Sequence, residues 1–492
     1  MKFTSKMIHV IEIIIGIVFI CLSIFQSNFW FDEAYSIAIA KHSFAEIWTI
    51  GGNDVHPILY YWFLHIIGMF TNYSIIAFRI FSAIPIIILG ILGYTHIRKD
   101  FGEKQGLIFT LLVFFLPVMA VYTEQIRMYS WAILSVTILA IYAYRIFKGN
   151  ESNKNIIIFG LSSWFSIYVH YYGIMAAGLI NLFLLIYLIV KKRKSAAIKI
   201  TVFGVIQLIS YIPWMINFAT QLKNVSSGFW IGFEFPKTLI ELLSFEFLGD
   251  FVREKFGILH YGIFILSLVL YVYVGFKLYK LKKENEDVKP AVISLIIYAA
   301  VIIAALLITL IMWTSILYYR YLFVITGLYV FVLSFVLARE KNTYITAIIC
   351  TIIVILGLVN NTKLIKQGYD TSNDNVVEYM KNNIAEGESI VYSDIGVGAI
   401  VDNIMVDNQQ YFYNAEKWGI YEAYQAFAPV MKVEEDPNFI SECSDRIWLI
   451  GYNDNVYNLL FNNGEYNIIS ERDFDTSYQG NLFKIICIEK VK

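Results

Sequence analysis

Charge is scarce in this sequence. Only 16% of its 492 residues are Asp, Glu, Lys or Arg, and the net charge is −1. Soluble domains carry about 25% charged and about 45–50% apolar residues. This chain is 58% hydrophobic, with a mean hydropathy of +0.61. An ordinary soluble domain is excluded, and membrane residence follows. No basic stretch alternates with aromatics as a nucleic-acid groove would, so nucleic acid is not an expected partner. Cysteine is scarce too, with four residues. Cys21 and Cys350 lie in apolar runs and Cys443 and Cys487 in a polar tail. No pair has metal-ligand spacing, which argues against zinc. A Cys443–Cys487 disulfide is left open if the tail lies outside the cell. A signal-peptide cleavage site is also lacking. The apolar run 7–25 exceeds the usual h-region of about 7–15 residues, and Gln26-Ser27-Asn28-Phe29-Trp30 follows it. The run reads as a retained first span.

What the chain does have is aromatic residues, including 35 Tyr and 10 Trp, whose amphipathic rings favour both membrane interfaces. A span needs about 20 mostly apolar residues. Eleven stretches qualify, near 7–27, 75–97, 106–122, 130–147, 155–170, 172–190, 196–214, 258–276, 290–313, 321–338 and 344–362. The segment 57–70 is too short and reads as an interfacial or re-entrant helix. With the N-terminus inside and 57–70 uncrossed, inside positions hold 20 Lys and Arg and the short outside loops hold 7. That asymmetry satisfies the positive-inside rule, and letting 57–70 cross would spoil it.

From about Asn373, apolar runs shorten and Asp, Glu and Asn become common. Ser389–Tyr392 and Ile447–Ile450 read as short buried strands, and Asp374–Ile384 as a helix with an acid near its N-terminus. The expected architecture is an α-helical polytopic membrane protein with a C-terminal extracytoplasmic α/β domain. Residues 1–370 form the transmembrane domain, its outer loop 28–74 carries interfacial helices, and residues 371–492 form the tail domain.

Polar groups concentrate at the outward boundaries. FWFDEAYS, residues 29–36, places Asp32 and Glu33 directly after a span. The pair is either a solvated loop feature or a site where one acid is held at low dielectric, its pKa raised toward that of a general base. DVHPILYYW, residues 54–62, follows in the same loop with Asp54, His56 and Tyr60, and Pro57 stands where a helix would place its first residue. Arg79 and Ser82 sit just inside the second span. YTEQIRMYSW, residues 122–131, carries Glu124, Arg127 and Tyr129; the spacing of three puts Glu124 and Arg127 on one helix face, as a local ion pair would be. VHYYG, residues 169–173, carries His170, and YYRYLF, residues 318–323, carries Arg320. Each has a bland alternative, such as an arginine snorkelling from a helix end. Together they cluster on one side, where ionisable residues are costly. Cations beside an acidic loop suit transfer of a sugar from a lipid phosphate: arginine stabilises the departing phosphate and a carboxylate takes the acceptor's proton. No soluble nucleotide-binding loop is seen.

At these residues the sequence resembles the GT-C superfamily, nearest the branch of protein O-mannosyltransferases, the lipid A aminoarabinose transferase and bacterial family 39-like membrane glycosyltransferases. The resemblance covers FWFDEAYS, DVHPILYYW, Arg79-Phe81-Ser82, YTEQIRMYSW, VHYYG, YIPWMINFATQ (211–221) and YYRYLF, in the family's order, over about residues 28–325. The family usually has His-Pro-Pro where this chain has His56-Pro57-Ile58. The resemblance implies Asp32 as base with Glu33 its neighbour in the donor site. Arg79, Glu124, Arg127, Tyr129, His170 and Arg320 would serve the donor and its phosphate, and Asp54, His56 and Tyr60 the acceptor or cavity. It implies a polyprenyl-phosphate sugar donor, inversion at the sugar carbon, a glycan, lipid or protein acceptor, and no nucleotide cofactor. Some members use a divalent ion at the acidic loop, which Asp32 and Asp54 would share here. The expected location is the cell membrane, with the N-terminus cytoplasmic and the tail extracytoplasmic. A non-enzymatic transporter or scaffold for lipid-linked glycans is the alternative. Transporters place ionisable groups near the midplane within paired repeats, whereas here they lie at one face and no half-to-half symmetry is seen.

Overall fold

The structure, a computed structural model, describes residues 4–26, 28–227, 231–253, 255–392, 394–414, 421–451, 454–461, 465–474 and 483–491. The chain forms two compact units. One comprises residues 1–25, 79–219 and 229–364, and the other residues 26–78, 220–228 and 365–492. The first outer loop is thus grouped with the tail.

The first unit is a helical bundle. Helices occupy all eleven predicted stretches. Among the described residues eight are long and apolar enough to span a bilayer, and Glu103–Phe115 with Pro117–Glu124 makes a ninth if counted as one span bent by 58°. The bend has a local cause: Leu116 precedes Pro117, which pushes it into the extended region at φ −64°, ψ 128°. The remaining two, Ser5–Cys21 and Asn153–Val169, have 17 residues each, the low end of spanning length. Burial separates the centre from the rim. The most apolar stretch of Tyr319–Ala338 is 94% buried, whereas those of Lys194–Ser226 and Ile258–Lys283 are 22% and 28% buried. Rim helices expose Ile216, Ile258 and Ile311 as lipid-facing residues must. The central helix comes close to its neighbour because of Gly327, where a Cβ would collide with the Thr137 hydroxyl.

The second unit is built on a six-stranded sheet of β1 (Ser389–Tyr392), β2 (Gln410–Tyr413), β3 (Met431–Glu434), β4 (Arg446–Ile450), β5 (Tyr466–Phe474) and β6 (Phe483–Lys490), in the order β3-β2-β1-β4-β6-β5. The first four strands in that order are parallel; β6 runs antiparallel to β4, and β5 to β6. β1 is buried on both faces, as a central parallel strand requires. Its core includes Val391, Tyr411, Leu449, Leu460 and Ile488. Both strands and the helix predicted for the tail are present, the helix as Ser372–Asn383 with Asp374 in its first turn. Cys443 and Cys487 are free thiols.

The outer loop folds onto this sheet domain as three short helices, Phe31–Ala40, Phe44–Gly51 and Leu59–Thr71. The last, at 13 residues, is too short to span. It starts at Leu59, not at Pro57, so Pro57 lies before the helix and the expected first-residue role is corrected. Asn28 ties the loop to the start of the tail, donating to Gly368 O at 3.0 Å and Asp370 O at 2.7 Å.

Candidate active site

In the bundle, three chain turns carry His170, Arg127 and Arg320. His170 is an extended residue between Asn153–Val169 and Tyr171–Val190, and its Nδ1 accepts from Tyr172 N at 3.1 Å. That bond leaves the ring proton on Nε2. Burial, reinforced by Arg127 and Arg320, lowers the His170 pKa to about 3, so the ring is neutral at working pH. Arg127 and Arg320, nearly two hundred residues apart in sequence, therefore both lie within electrostatic reach of one imidazole. Their exposures are 5% and 9%. Arginine stays charged in such places because its delocalised guanidinium is a very strong base.

Tyrosines line the same place. Rings of Tyr129, Tyr172 and Tyr321 stand 5.5, 5.9 and 5.2 Å from the His170 ring. The Arg320 guanidinium lies 4.7 Å over Tyr318, and Tyr122 packs on Tyr129 at 5.2 Å and Phe323 at 4.5 Å. The local folding follows from the motifs. Gln125 is extended, at φ −72°, ψ 135°, so the chain leaves one helix at Glu124 and begins the next at Tyr129. Arg127 lies in that break, and the expectation that Glu124 and Arg127 share a helix face is overturned. Arg320 lies in the 3-10 turn Tyr319–Ile325 that precedes the helix Thr326–Ala338. Arg79 is fully buried on the helix Ile75–Leu92, where Phe81 packs on Trp131 at 4.8 Å.

The acids belong to the second unit. Asp32 and Glu33 are the second and third residues of Phe31–Ala40, where the helix dipole favours negative charge. Their environments differ. Glu33 is 3% exposed and caps the helix, accepting from Trp30 N at 3.4 Å, whereas Asp32 is only half-buried. Asp54 accepts from the Tyr61 hydroxyl at 3.1 Å, and the Tyr61 ring meets those of Tyr35 and Tyr60 at 5.9 and 6.1 Å. His56 is buried, and its carbonyl and that of Gly51 accept from Gln221 at 3.4 and 2.7 Å. Asp54 and Asp32 both act on the buried Tyr424, whose phenol is raised above its ordinary range by burial first and then by those two carboxylates. Among the described residues, no group of three or more His, Cys, Asp or Glu is arranged to hold a metal ion.

Sequence reasoning named the arginines, His170 and Tyr129 but not Tyr122, Tyr172, Tyr318 or Tyr321. All four stand inside the quoted motifs, so tyrosines flanking a motif arginine or histidine were the available signal. Tyr424 carries no such signal, because it is nearly four hundred residues from Asp32.

No protein-family model matches the sequence, and no curated protein does. Solved structures match across the whole chain. Apo ArnT from Cupriavidus metallidurans superposes with a TM-score of 0.62 at 10% identity, covering 98% of this chain and 97% of its own. The same protein bound to undecaprenyl phosphate gives 0.58 at 10% identity, with 97% of each chain covered. The oligosaccharyltransferase AglB from Archaeoglobus fulgidus, in complex with an inhibitory peptide and a dolichol-phosphate, gives 0.50 at 11% identity, covering 91% of this chain and 70% of its own. At such identities the likeness is one of fold, and that fold is the GT-C type.

Proposed function

We propose that this multi-pass membrane protein of GT-C fold is a glycosyltransferase that moves a sugar from a polyprenyl-phosphate donor to an extracytoplasmic acceptor, with inversion at the sugar carbon. The observation that carries the reading is the convergence of Arg127, Arg320 and a neutral His170 at one end of a lipid-facing bundle. A polyprenyl-phosphate sugar keeps its chain in the bilayer and its phosphate at the interface, where two buried arginines can each grip phosphate oxygens bidentately. Two of the fold's neighbours were solved with lipid phosphates.

The transfer assigns each group a task. The acceptor hydroxyl gives its proton to the Asp32 carboxylate. The acceptor oxygen forms a bond to the anomeric carbon as the bond from that carbon to the phosphate oxygen breaks. The bonding pair leaves on the phosphate, and Arg127 and Arg320 hold the growing charge. The neutral His170 presents its Nε2 proton to the same phosphate, with Arg79, Glu124 and Tyr129 on the donor side. Asp54, His56 and Tyr60 serve the acceptor side. Asp32 and Asp54 would hold a divalent ion, which would supply positive charge to offset that of the donor phosphate. The charge asymmetry of the loops orients the chain with its N-terminus cytoplasmic and its tail outside.

The test is an assay of membranes supplied with radiolabelled polyprenyl-phosphate hexoses, resolved by thin-layer chromatography. Label should leave the lipid only when the protein is present, and not with Asp32→Asn. A chelator series in the same assay reads the ion. Label that stays on every donor hexose offered would sink the proposal.

A further inference from the structure

We propose that Glu246, near the inner end of a helix that enters the bundle without crossing it, is a positioning residue: it sets the depth at which Phe245 packs on Tyr122 and Tyr319 beside Arg320. This rests on Arg127 and Arg320 holding the donor phosphate.

Between the spans Lys194–Ser226 and Ile258–Lys283 lies the helix Lys237–Leu248. Its 12 residues rise about 18 Å, too little to cross a bilayer. Its inner end lies among other spans at their mid-length. Glu246 is 0% exposed. One carboxylate oxygen accepts from the Tyr298 hydroxyl, and the other from that of Tyr271 at 3.4 Å. Tyr298 is the tenth of 24 residues in Lys289–Met312, and Tyr271 the fourteenth of 26 in Ile258–Lys283. Tyr329 of the span Tyr319–Ala338 stands 5.6 and 5.9 Å from the Tyr271 and Tyr298 rings. The chain then turns back at Gly249, where φ is +53° and a Cβ would meet Asn360 Oδ1 at 2.6 Å. Asn360 Oδ1 accepts from Asp250 N at 2.7 Å, and Lys363 pairs with the Asp250 carboxylate at 3.2 Å.

An ionisable side chain at that depth is costly, and an apolar one would fill the same space. What the carboxylate adds is register. Lipid is as apolar as leucine, so apolar contact alone does little to fix how far a short helix enters a bundle, and hydrogen bonds between helices do more. The two phenols belong to different spans, so together they fix Glu246 in depth and in rotation. The preceding residue points about 100° away around a helix of about 3.6 residues per turn. Phe245 is 3% exposed, with its ring 6.0 Å from Tyr122 and 6.1 Å from Tyr319. Tyr319 precedes Arg320 and meets Tyr318 at 4.4 Å, the ring over which the Arg320 guanidinium lies. Tyr122 packs on Tyr129, which meets His170. A slip of the short helix along its axis would move Phe245 past both tyrosines and loosen the turn that presents Arg320.

The experiment measures binding of labelled undecaprenyl phosphate to the purified full-length protein, with thermal unfolding of the same preparations. Glu246→Leu should weaken binding about fivefold, the worth of one hydrogen bond. Glu246→Gln, which keeps an acceptor oxygen, should recover most of that affinity. Tyr298→Phe removes one hydroxyl and keeps the ring, so it reads the same contact if Glu246→Leu does not fold, and it should weaken binding too. Because Glu246 acts through Phe245, the effect of either change should vanish in a Phe245→Leu background. Glu246→Leu and Tyr298→Phe that bind like wild type, whatever their thermal midpoints, show a packing role and overturn the inference alone. An effect undiminished in the Phe245→Leu background overturns it as well, because Glu246 would then act by another route. A wild-type protein that binds no undecaprenyl phosphate overturns both this inference and the function on which it rests.

Discussion

Replacing Asp32 by Asn separates turnover from folding more sharply than any other change here. The two side chains are nearly isosteric, and only the carboxylate can take a proton. Loss of a general base costs about 10²–10⁴ in rate, or about 2.7–5.5 kcal/mol of transition-state stabilisation. Asp32 is half-buried near a helix N-terminus, so the stability lost with its charge is about 0.3–1 kcal/mol. Glu33 presents the opposite case. It is 3% exposed and accepts the Trp30 N–H. Glu33→Gln keeps an oxygen for that bond and should fold and turn over close to normal. Glu33→Ala removes the cap, at about 0.5–2 kcal/mol, and should lower the thermal midpoint while leaving turnover per folded molecule within about tenfold. The assay is single-turnover transfer from a labelled polyprenyl-phosphate hexose, with lipid binding and thermal unfolding measured on the same preparations. Asp32→Asn should bind donor normally, unfold normally and transfer at least about a hundredfold more slowly. Near-normal transfer by Asp32→Asn together with a dead but well-folded Glu33→Gln would exchange the two roles and refute the argument from environment.

Three further outcomes are expected. Arg127→Ala and Arg320→Ala should each weaken binding of polyprenyl phosphate about 10–150-fold, the worth of a hydrogen bond to a charged group, and Arg320→Lys should keep weak transfer because charge survives and the fork is lost; unchanged affinity in both alanine variants would defeat the phosphate role. Asp402 is 3% exposed at the end of Ile395–Asp402, and burial pushes its pKa from 3.8 up to about 7 against the opposing pull of Lys41; the folded state then binds the extra proton between those values, so stability from this group is present below pH 4 and is lost as pH rises toward 7. Asp402→Asn should flatten that slope and stabilise the protein at pH 8 by at most about 4 kcal/mol, read by thermal unfolding across the range, and an unchanged pH profile would remove Asp402 as its cause. In a background lacking the four native cysteines, single cysteines placed in the tail should react with a membrane-impermeant maleimide in intact cells; reaction only after lysis would reverse the orientation.

Some of this protein is written in local pattern and some is not. The spans are legible because burial in lipid demands about twenty apolar residues in a row, a property each stretch carries alone. β1 and β4 are legible for the same reason: a strand in the middle of a sheet is buried on both faces, and Ser389–Tyr392 and Ile447–Ile450 form short apolar runs. β5 escaped notice because its nine residues, YNIISERDF, form an exposed edge with only its first residue buried. The break at Gln125 escaped because spacing cannot show where a helix stops before a residue that is neither Gly nor Pro.

The motifs by themselves determined the residue types of the candidate site, since costly charges at membrane boundaries stand out wherever they occur. Tertiary structure alone decided which of them meet. Arg127 and Arg320 share one histidine because the turns carrying them stand beside it at one end of a packed bundle. Tyr424 reaches the acid helix because parallel strand order turns the β2–β3 crossover into a surface on which that helix packs. Neither meeting leaves a trace in local sequence, because a contact across hundreds of residues depends on the packing of the elements that carry it, and the same short stretch of Tyr, Ala and Gln would read as an ordinary loop in any other fold.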